Sequence, residues 1–215
     1  MDDWLFLLGI YLAEGHIDKK NTVRISAHKE RVKTPLLKCL DILGFTYANR
    51  DSEINYVYIN KNRALSQYFE PLGKGIYKYI PEFVWELNER QCRILYEAMM
   101  LGDGDKTGKE YSTGSKKLAD DFQRLAVHCG YVAKSSVKHE KGQLITIKGI
   151  ETKRGSNLNR IIISKDSDSQ KLIKSKDIKI TKFSGKVYCP TTSTHTFMIR
   201  KNGKVFWSGN SSRSG

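Results

Sequence analysis

The chain has 215 residues, enough for one or two domains with real cores, and its 37 Lys and Arg against 23 Asp and Glu give a formal charge of +14. That excess points to a polyanionic partner and is uneven, with 13 basic against 5 acidic residues between Lys134 and Lys182. Four cysteines, Cys39, Cys92, Cys129 and Cys189, lack CxxC spacing, which suggests neither a disulfide framework nor a zinc site and fits a reducing cytoplasm.

The first element is an apolar helical run, Trp4 to Ala13. It follows Asp2-Asp3 and stops at Glu14-Gly15, too short for a membrane span and unlike a signal peptide. A carboxylate in the last turn faces the negative end of the helix dipole, at a cost of a few tenths of a kcal/mol or more. Glycine one step later is the usual left-handed stop. Thr22 to Ser26 then reads as a strand, Lys33 to Leu43 as a helix closed by Gly44, and Ile54 to Asn60 as a strand with one wet face. Its interleaved aromatic and polar residues suit a sheet lying in a DNA groove.

The same order then returns. Tyr96 to Leu101 runs into Gly102-Asp103-Gly104, followed by strand-like Tyr111-Ser112-Thr113, a helix from Lys117 to Cys129 closed by Gly130, and the β-branched run Arg160 to Ser164. Glu14 and Asp103 stand 89 residues apart in an internal duplication of a helix–strands–helix–strands unit. Gly9 and Ala13 in the first helix, and Ala98 and Gly102 in the second, give each a face where another backbone can approach closely. Two such helices packed together would bring Glu14 and Asp103 to one end. A metal site would account for the repeated, costly carboxylate.

These residues resemble the LAGLIDADG homing endonucleases, specifically the single-chain kind carried inside inteins, over roughly residues 4 to 175. Lys78-Tyr79-Ile80-Pro81 is similar to the family's lysine-containing block. Ser112-Thr113, Ser115 and Leu118-Ala119-Asp120-Asp121 are likewise similar. Glu14 departs from the commoner aspartate but is still a hard oxygen ligand. The resemblance implies an α+β fold, with two central helices and two antiparallel sheets in a pseudo-symmetric domain of residues 1–175, its half-repeats covering about 4–90 and 91–175. It implies magnesium-dependent cleavage of double-stranded DNA, with Glu14 and Asp103 as catalytic metal ligands and Lys78 polarising the attacking water or stabilising the phosphorane. Aligning the halves by strand pairs Lys61 with Lys165, a weaker candidate for the same role. A DNA- or RNA-binding module that has lost cleavage is the alternative, against which the retention of both acids argues.

From about Lys176 the sequence changes character. Ile178 to Val187 reads as extended. Thr196 to Arg200, Asn202-Gly203 and Lys204 to Trp207 then read as a hairpin. Val187 to Ser211 resembles the C-terminal blocks of an intein, with His195-Thr196-Phe197 as the histidine element. Residues 176–210 would then be the C-terminal strands of a Hint-type splicing domain, and 211–215 the start of the downstream host protein. The resemblance implies that the Ser211 hydroxyl accepts the upstream acyl chain and that the Asn210 side-chain amide cyclises onto its own carbonyl. His195 would shuttle protons or stabilise the oxyanions, the more so because Gly209 replaces the commoner penultimate histidine. Cys189 stands where one intein class, lacking an N-terminal nucleophile, uses a cysteine to take the acyl group first.

No N-terminal splicing block precedes the first helix. The expectation is therefore the C-terminal piece of a split or truncated intein, which needs an N-terminal intein fragment to splice. Residues 177–210 alone bury too little to be stable except against that partner or the endonuclease domain. Set after a glycine and before Lys-Ser/Thr, Ser211 to Gly215 would complete a G-x-x-x-x-G-K-[ST] loop, so the host is expected to be a P-loop ATPase, first of all a phage terminase large subunit, in the cytoplasm of a phage or bacterial host cell.

Overall fold

The computed structural model describes residues 1–50, 56–60, 62–147, 149–164, 179–186, 188 and 190–209. Two helices, α1 (Asp2–Glu14) and α4 (Glu89–Asp103), pack on each other at its centre. Leu5, Leu7, Leu8, Gly9, Ile10, Tyr11 and Leu12 are all buried, so α1 is covered on every side, as a helix apolar all round must be. The small residues meet reciprocally. A Cβ on Gly9 would lie 2.6 Å from Ala98 Cβ and 2.9 Å from the Leu95 carbonyl oxygen, and one on Gly102 would lie 2.5 Å from Ala13 Cβ.

Each central helix feeds an antiparallel sheet. The first has the order β1 (Gly15–Ile17), β2 (Val23–Ser26), β4 (Tyr56–Ile59), β3 (Tyr47–Arg50), and α2 (Glu30–Ile42) packs against α1 beside it. In the second, β5 (Glu110–Thr113), β9 (Leu158–Ser164) and β6 (Val132–His139) repeat the pattern β2–β4–β3, with α5 (Lys116–His128) packed against them. The repeat extends to single pairs, Gly15 lying across from Ile25 and Gly104 from Tyr111. The loops after both helices are held by an aspartate accepting backbone N–H groups, Asp18 in one half and Asp105 in the other.

Several sequence expectations change here. Gly15 and Gly104 are extended, at φ −90° and −74°, rather than left-handed, because each chain passes straight into a strand pairing. Glycine is needed there for a different reason: a Cβ would collide with Tyr11 in one half and with the Met100 carbonyl in the other. Gly44 and Gly130, at φ +72° and +79°, are the left-handed helix stops. Helix α2 starts at Glu30, not Lys33, because the Lys29 carbonyl accepts the N–H groups of Val32 and Lys33, and Pro35 falls inside the helix. A further helix, α3 (Arg63–Phe69), is capped by Asn62 and stacks Phe69 on Tyr11 with ring centroids 3.9 Å apart. A separate hairpin of β7 (Leu144–Ile147) and β8 (Ile150–Lys153) precedes β9.

Residues 179–186 are exposed and form no strand; Ile178 and Val187, the ends of the run expected to be extended, lie outside the described residues. The later hairpin is present as β10 (Thr196–Lys201) and β11 (Lys204–Gly209), with Asn202 and Gly203 both at positive φ in the tight turn. It is not free-standing: β11 joins the edge of the second sheet beside β6, giving the order β10–β11–β6–β9–β5. Cys39, Cys92 and Cys129 are buried, and burial pushes their thiols up, to about 12 for Cys39 and Cys129, which leaves them unreactive. Among the described residues no helix is long and apolar enough to cross a membrane.

The interlock of α1 and α4 should tolerate no bulk. Gly9→Val and Gly102→Val are each expected to lower unfolding free energy by about 1–3 kcal/mol in urea titrations, despite removing a helical glycine. Wild-type midpoints in both would show that the helices are not in close contact at these positions.

Candidate metal and DNA site

The C-terminal ends of α1 and α4 meet, and with them Glu14 and Asp103. The Lys29 ammonium ties the two ends together, donating to Glu14 Oε1 at 3.2 Å and to the Gly102 carbonyl at 2.6 Å. Lys78 Nζ donates to the carbonyls of Tyr11 and Leu12, both at 2.9 Å, and Arg31 donates to the Gly104 carbonyl at 3.1 Å. These cations bond carbonyls in or just past the last turns of the two helices, and they oppose the negative pole on which the two acids sit.

Lys78 is only 6 % exposed, and its position is fixed from the second half of the chain. Ser115 Oγ, the N-cap of α5, donates to the Lys78 carbonyl at 2.6 Å while accepting the Leu118 N–H. Asp121 accepts the Ile80 N–H at 3.1 Å. The Lys-Tyr-Ile-Pro block and the Ser115–Asp121 region, separate in sequence, are thus one clasp.

Burial pushes the Asp103 carboxyl up to about 7, Glu14 beside it adds to the rise, and Lys78 and Lys29 oppose it. Burial likewise pushes the Lys78 ammonium down to about 8, against the pull of Asp103 and Glu14. Tyr111 is fully buried, its hydroxyl has no hydrogen-bond partner, and burial together with the charges of Asp103 and Glu14 holds its ionisation well above the ordinary range. Two crowded carboxylates and an unpartnered hydroxyl fit a hard divalent cation that brings its own waters. Among the described residues no group of three or more His, Cys, Asp or Glu could hold a metal, so such an ion would keep several waters or take oxygens from a ligand.

On either side of the acids, the outward sheet faces are polar and basic. Arg24 lies over the Tyr58 ring at 4.7 Å and pairs with Asp18, and Tyr56 projects beside His16. In the second sheet Ser112, Arg160 and Ser136 stand in one row across three strands, and Glu110 takes Lys138 as its ion partner. Both faces begin where the helices end.

Of the residues singled out from sequence, the structure brings Glu14, Asp103 and Lys78 together. His195 lies elsewhere, at φ +53° just ahead of β10, and Gly209 at the end of β11 faces Thr196 beside it. Lys165, Cys189, Asn210 and Ser211 lie outside the described residues. Sequence reasoning missed Lys29, Arg31 and Tyr111. Lys29 occupies in the first half the N-cap position that Ser115 occupies in the second, but it reaches a helix end 73 residues away, which no local pattern signals.

No family model matches the chain. It is similar to the DNA-directed RNA polymerase subunit beta C-terminal section of Stigeoclonium helveticum, 27% identical over 268 aligned residues that take in 100% of this chain and 24% of that protein. It is also similar to the ATP-dependent Clp protease proteolytic subunit of Chlamydomonas moewusii, 30% identical over 187 residues, 78% of this chain and 18% of that protein. The chain therefore spans under a quarter of the length of these curated relatives. Among solved structures it is similar to mesophilic variants of the homing endonuclease I-DmoI, with a TM-score of 0.52, 16% identity and coverage of 76% of this chain and 88% of that one. I-DmoI in complex with DNA and Ca, and with DNA and Mn, gives the same TM-score over 83% and 89% of those chains. The fold is a mixed α/β fold with two main sheets, similar to that of the homing endonuclease I-DmoI.

The crowding of the acids has a measurable consequence in metal-free protein. The Asp103 carboxyl binds its proton more tightly when folded, near 7, than at its ordinary 3.8, so stability falls as pH rises from about 4 to 7 and the strain is fully present above 7. In chelator at pH 8, Asp103→Asn is expected to be more stable than wild type by about 1–3 kcal/mol, with the difference shrinking below about pH 5. A variant less stable than wild type at pH 8 would contradict this electrostatic picture.

Proposed function

We propose that this chain is a magnesium-dependent, site-specific endonuclease for double-stranded DNA, joined to the C-terminal segment of an intein. The observation that carries the nuclease reading is the pair Glu14 and Asp103 at the ends of two interlocked helices, between basic sheet faces. The I-DmoI-like fold and the net charge of +14 support it, as does the presence of DNA with Ca or Mn in the neighbouring structures.

Glu14 and Asp103 would hold the ion, which when bound supplies Lewis acidity and a water that gives up its proton near neutral pH. Asp103 must first release its own proton, which the adjacent ammonium groups favour. Lys78 spends two of its three N–H bonds on the Tyr11 and Leu12 carbonyls, leaving one beside the acids for the charge that builds on the phosphoryl group. With a host-gene plasmid lacking the insertion as substrate, Glu14→Gln and Asp103→Asn are expected to abolish magnesium-dependent cutting while gel-shift affinity stays within several-fold of wild type. If both cut like wild type, the assignment of the acids is wrong.

A splicing role is the second half of the reading. Two proteins of unrelated named roles each carry a stretch similar to this chain over a minor part of their length, as an inserted element would produce. The hairpin supports it too, because its register sets His195 beside Gly209, the residue before Asn210. Mixed with an N-terminal intein fragment, the chain should release a product ending at Asn210 and join Ser211 onward to new sequence. Asn210→Ala should block release, and Ser211→Ala should block joining, both read by mass spectrometry. An unchanged product pattern for Asn210→Ala removes the splicing claim.

A further inference from the structure

We infer that the C-terminal hairpin is a built-in extension of the DNA-holding face, gripping the backbone of a duplex through Lys201 and Lys204 alongside Lys134. The inference rests on the endonuclease reading above. Lys204 lies directly across from Lys134 on β6, and Lys201 directly across from Lys204 on β10. Residues opposed in this way project from the same face of a sheet. That face is the outward one, since Ala133, the neighbour of Lys134, is buried against the helix side. On the other face of the hairpin Val205 is buried, and Arg200, its cross-strand partner, pairs with Asp120 and donates to Gln123 Oε1 on α5.

Three lysines therefore stand in one row across β6, β11 and β10. All three are exposed, and among the described residues none has an acidic partner, whereas Lys138 further along β6 is paired with Glu110. Like charges directly opposed across strands destabilise a sheet, so this row costs folding energy that a polyanion would recover. It continues the face that carries Arg160 and Ser136.

The row is held in place before any ligand arrives. The Gly203 carbonyl accepts the Ser135 N–H at 2.9 Å and the Gln123 amide at 2.6 Å, and the same amide donates to the Ala133 carbonyl at 2.8 Å. Gly203 is required twice over: φ is +75°, and a Cβ would run into the Ser135 carbonyl. Two added strands widen the sheet by roughly 10 Å, about three base pairs of duplex. The first sheet has no such extension beyond β3 among the described residues, so the two halves would hold DNA to different extents.

The test is a salt titration of binding to a mixed-sequence duplex of about 40 base pairs, comparing wild type with the double variant Lys201→Ala/Lys204→Ala. Loss of two phosphate contacts should lower the magnitude of the slope of log K against log salt by about 2 and weaken binding roughly tenfold at about 0.1 M salt. The Lys201→Arg/Lys204→Arg pair should restore both. Arg200→Ala keeps the lysines but loosens the hairpin, and should also weaken binding. Unchanged slope and affinity in the double alanine variant overturn the inference, as does a loss confined to Arg200→Ala. A wild-type chain that does not retain the duplex overturns the endonuclease reading and this inference with it.

Discussion

The closeness of α1 and α4 is the constraint on which the rest depends. With no Cβ at Gly9 or Gly102 the helices meet through Ala98 and Ala13, and their C-terminal ends arrive together. Two carboxylates then share a half-buried, negative pole. Neither helix alone has reason to end in an acid; together they concentrate charge that only cations can relieve.

The protein supplies part of that relief itself, and does so across the duplication. Lys29 belongs to the first half and bonds the end of α4, while Lys78 serves the end of α1 and is clasped by Ser115 and Asp121 of the second half. Each half therefore completes the other. The clasp leaves Asp103 crowded and the Tyr111 hydroxyl without a partner, so the compensation is incomplete where a metal would sit. Tyr111 takes the place that Ile25 holds in the first half, so the two sides of the site differ chemically although the backbone repeats.

The C-terminal hairpin belongs to the same economy of edges. An uncovered β6 would present unpaired backbone groups, and β11 covers part of it through the Gly203 turn. A segment that reads in sequence as the tail of a different domain thus acquires a place in the second sheet. Gln123, a buried polar residue on α5, donates to the Ala133 carbonyl of β6 and gains two further partners, the Gly203 carbonyl and the Arg200 guanidinium, from the docked hairpin.

What the sequence by itself determined was periodic and local. The duplicated order, the left-handed stops at Gly44 and Gly130, the Asn202-Gly203 turn and the small faces of both central helices follow from residue type and spacing. The acids at positions 14 and 103 could be paired because the repeat predicts which helices meet. The tertiary structure alone decided the rest. The glycines at 15 and 104 stop their helices in extended form because a strand begins at once. Lys29, Arg31 and Tyr111 join the site through contacts that span the two halves or depend on burial. The hairpin's edge was chosen by Ser135, Gln123 and Asp120, residues more than 60 positions before it. Short-range patterns carry backbone preference and facing; they carry no record of which distant carbonyl, carboxylate or sheet edge a side chain will reach.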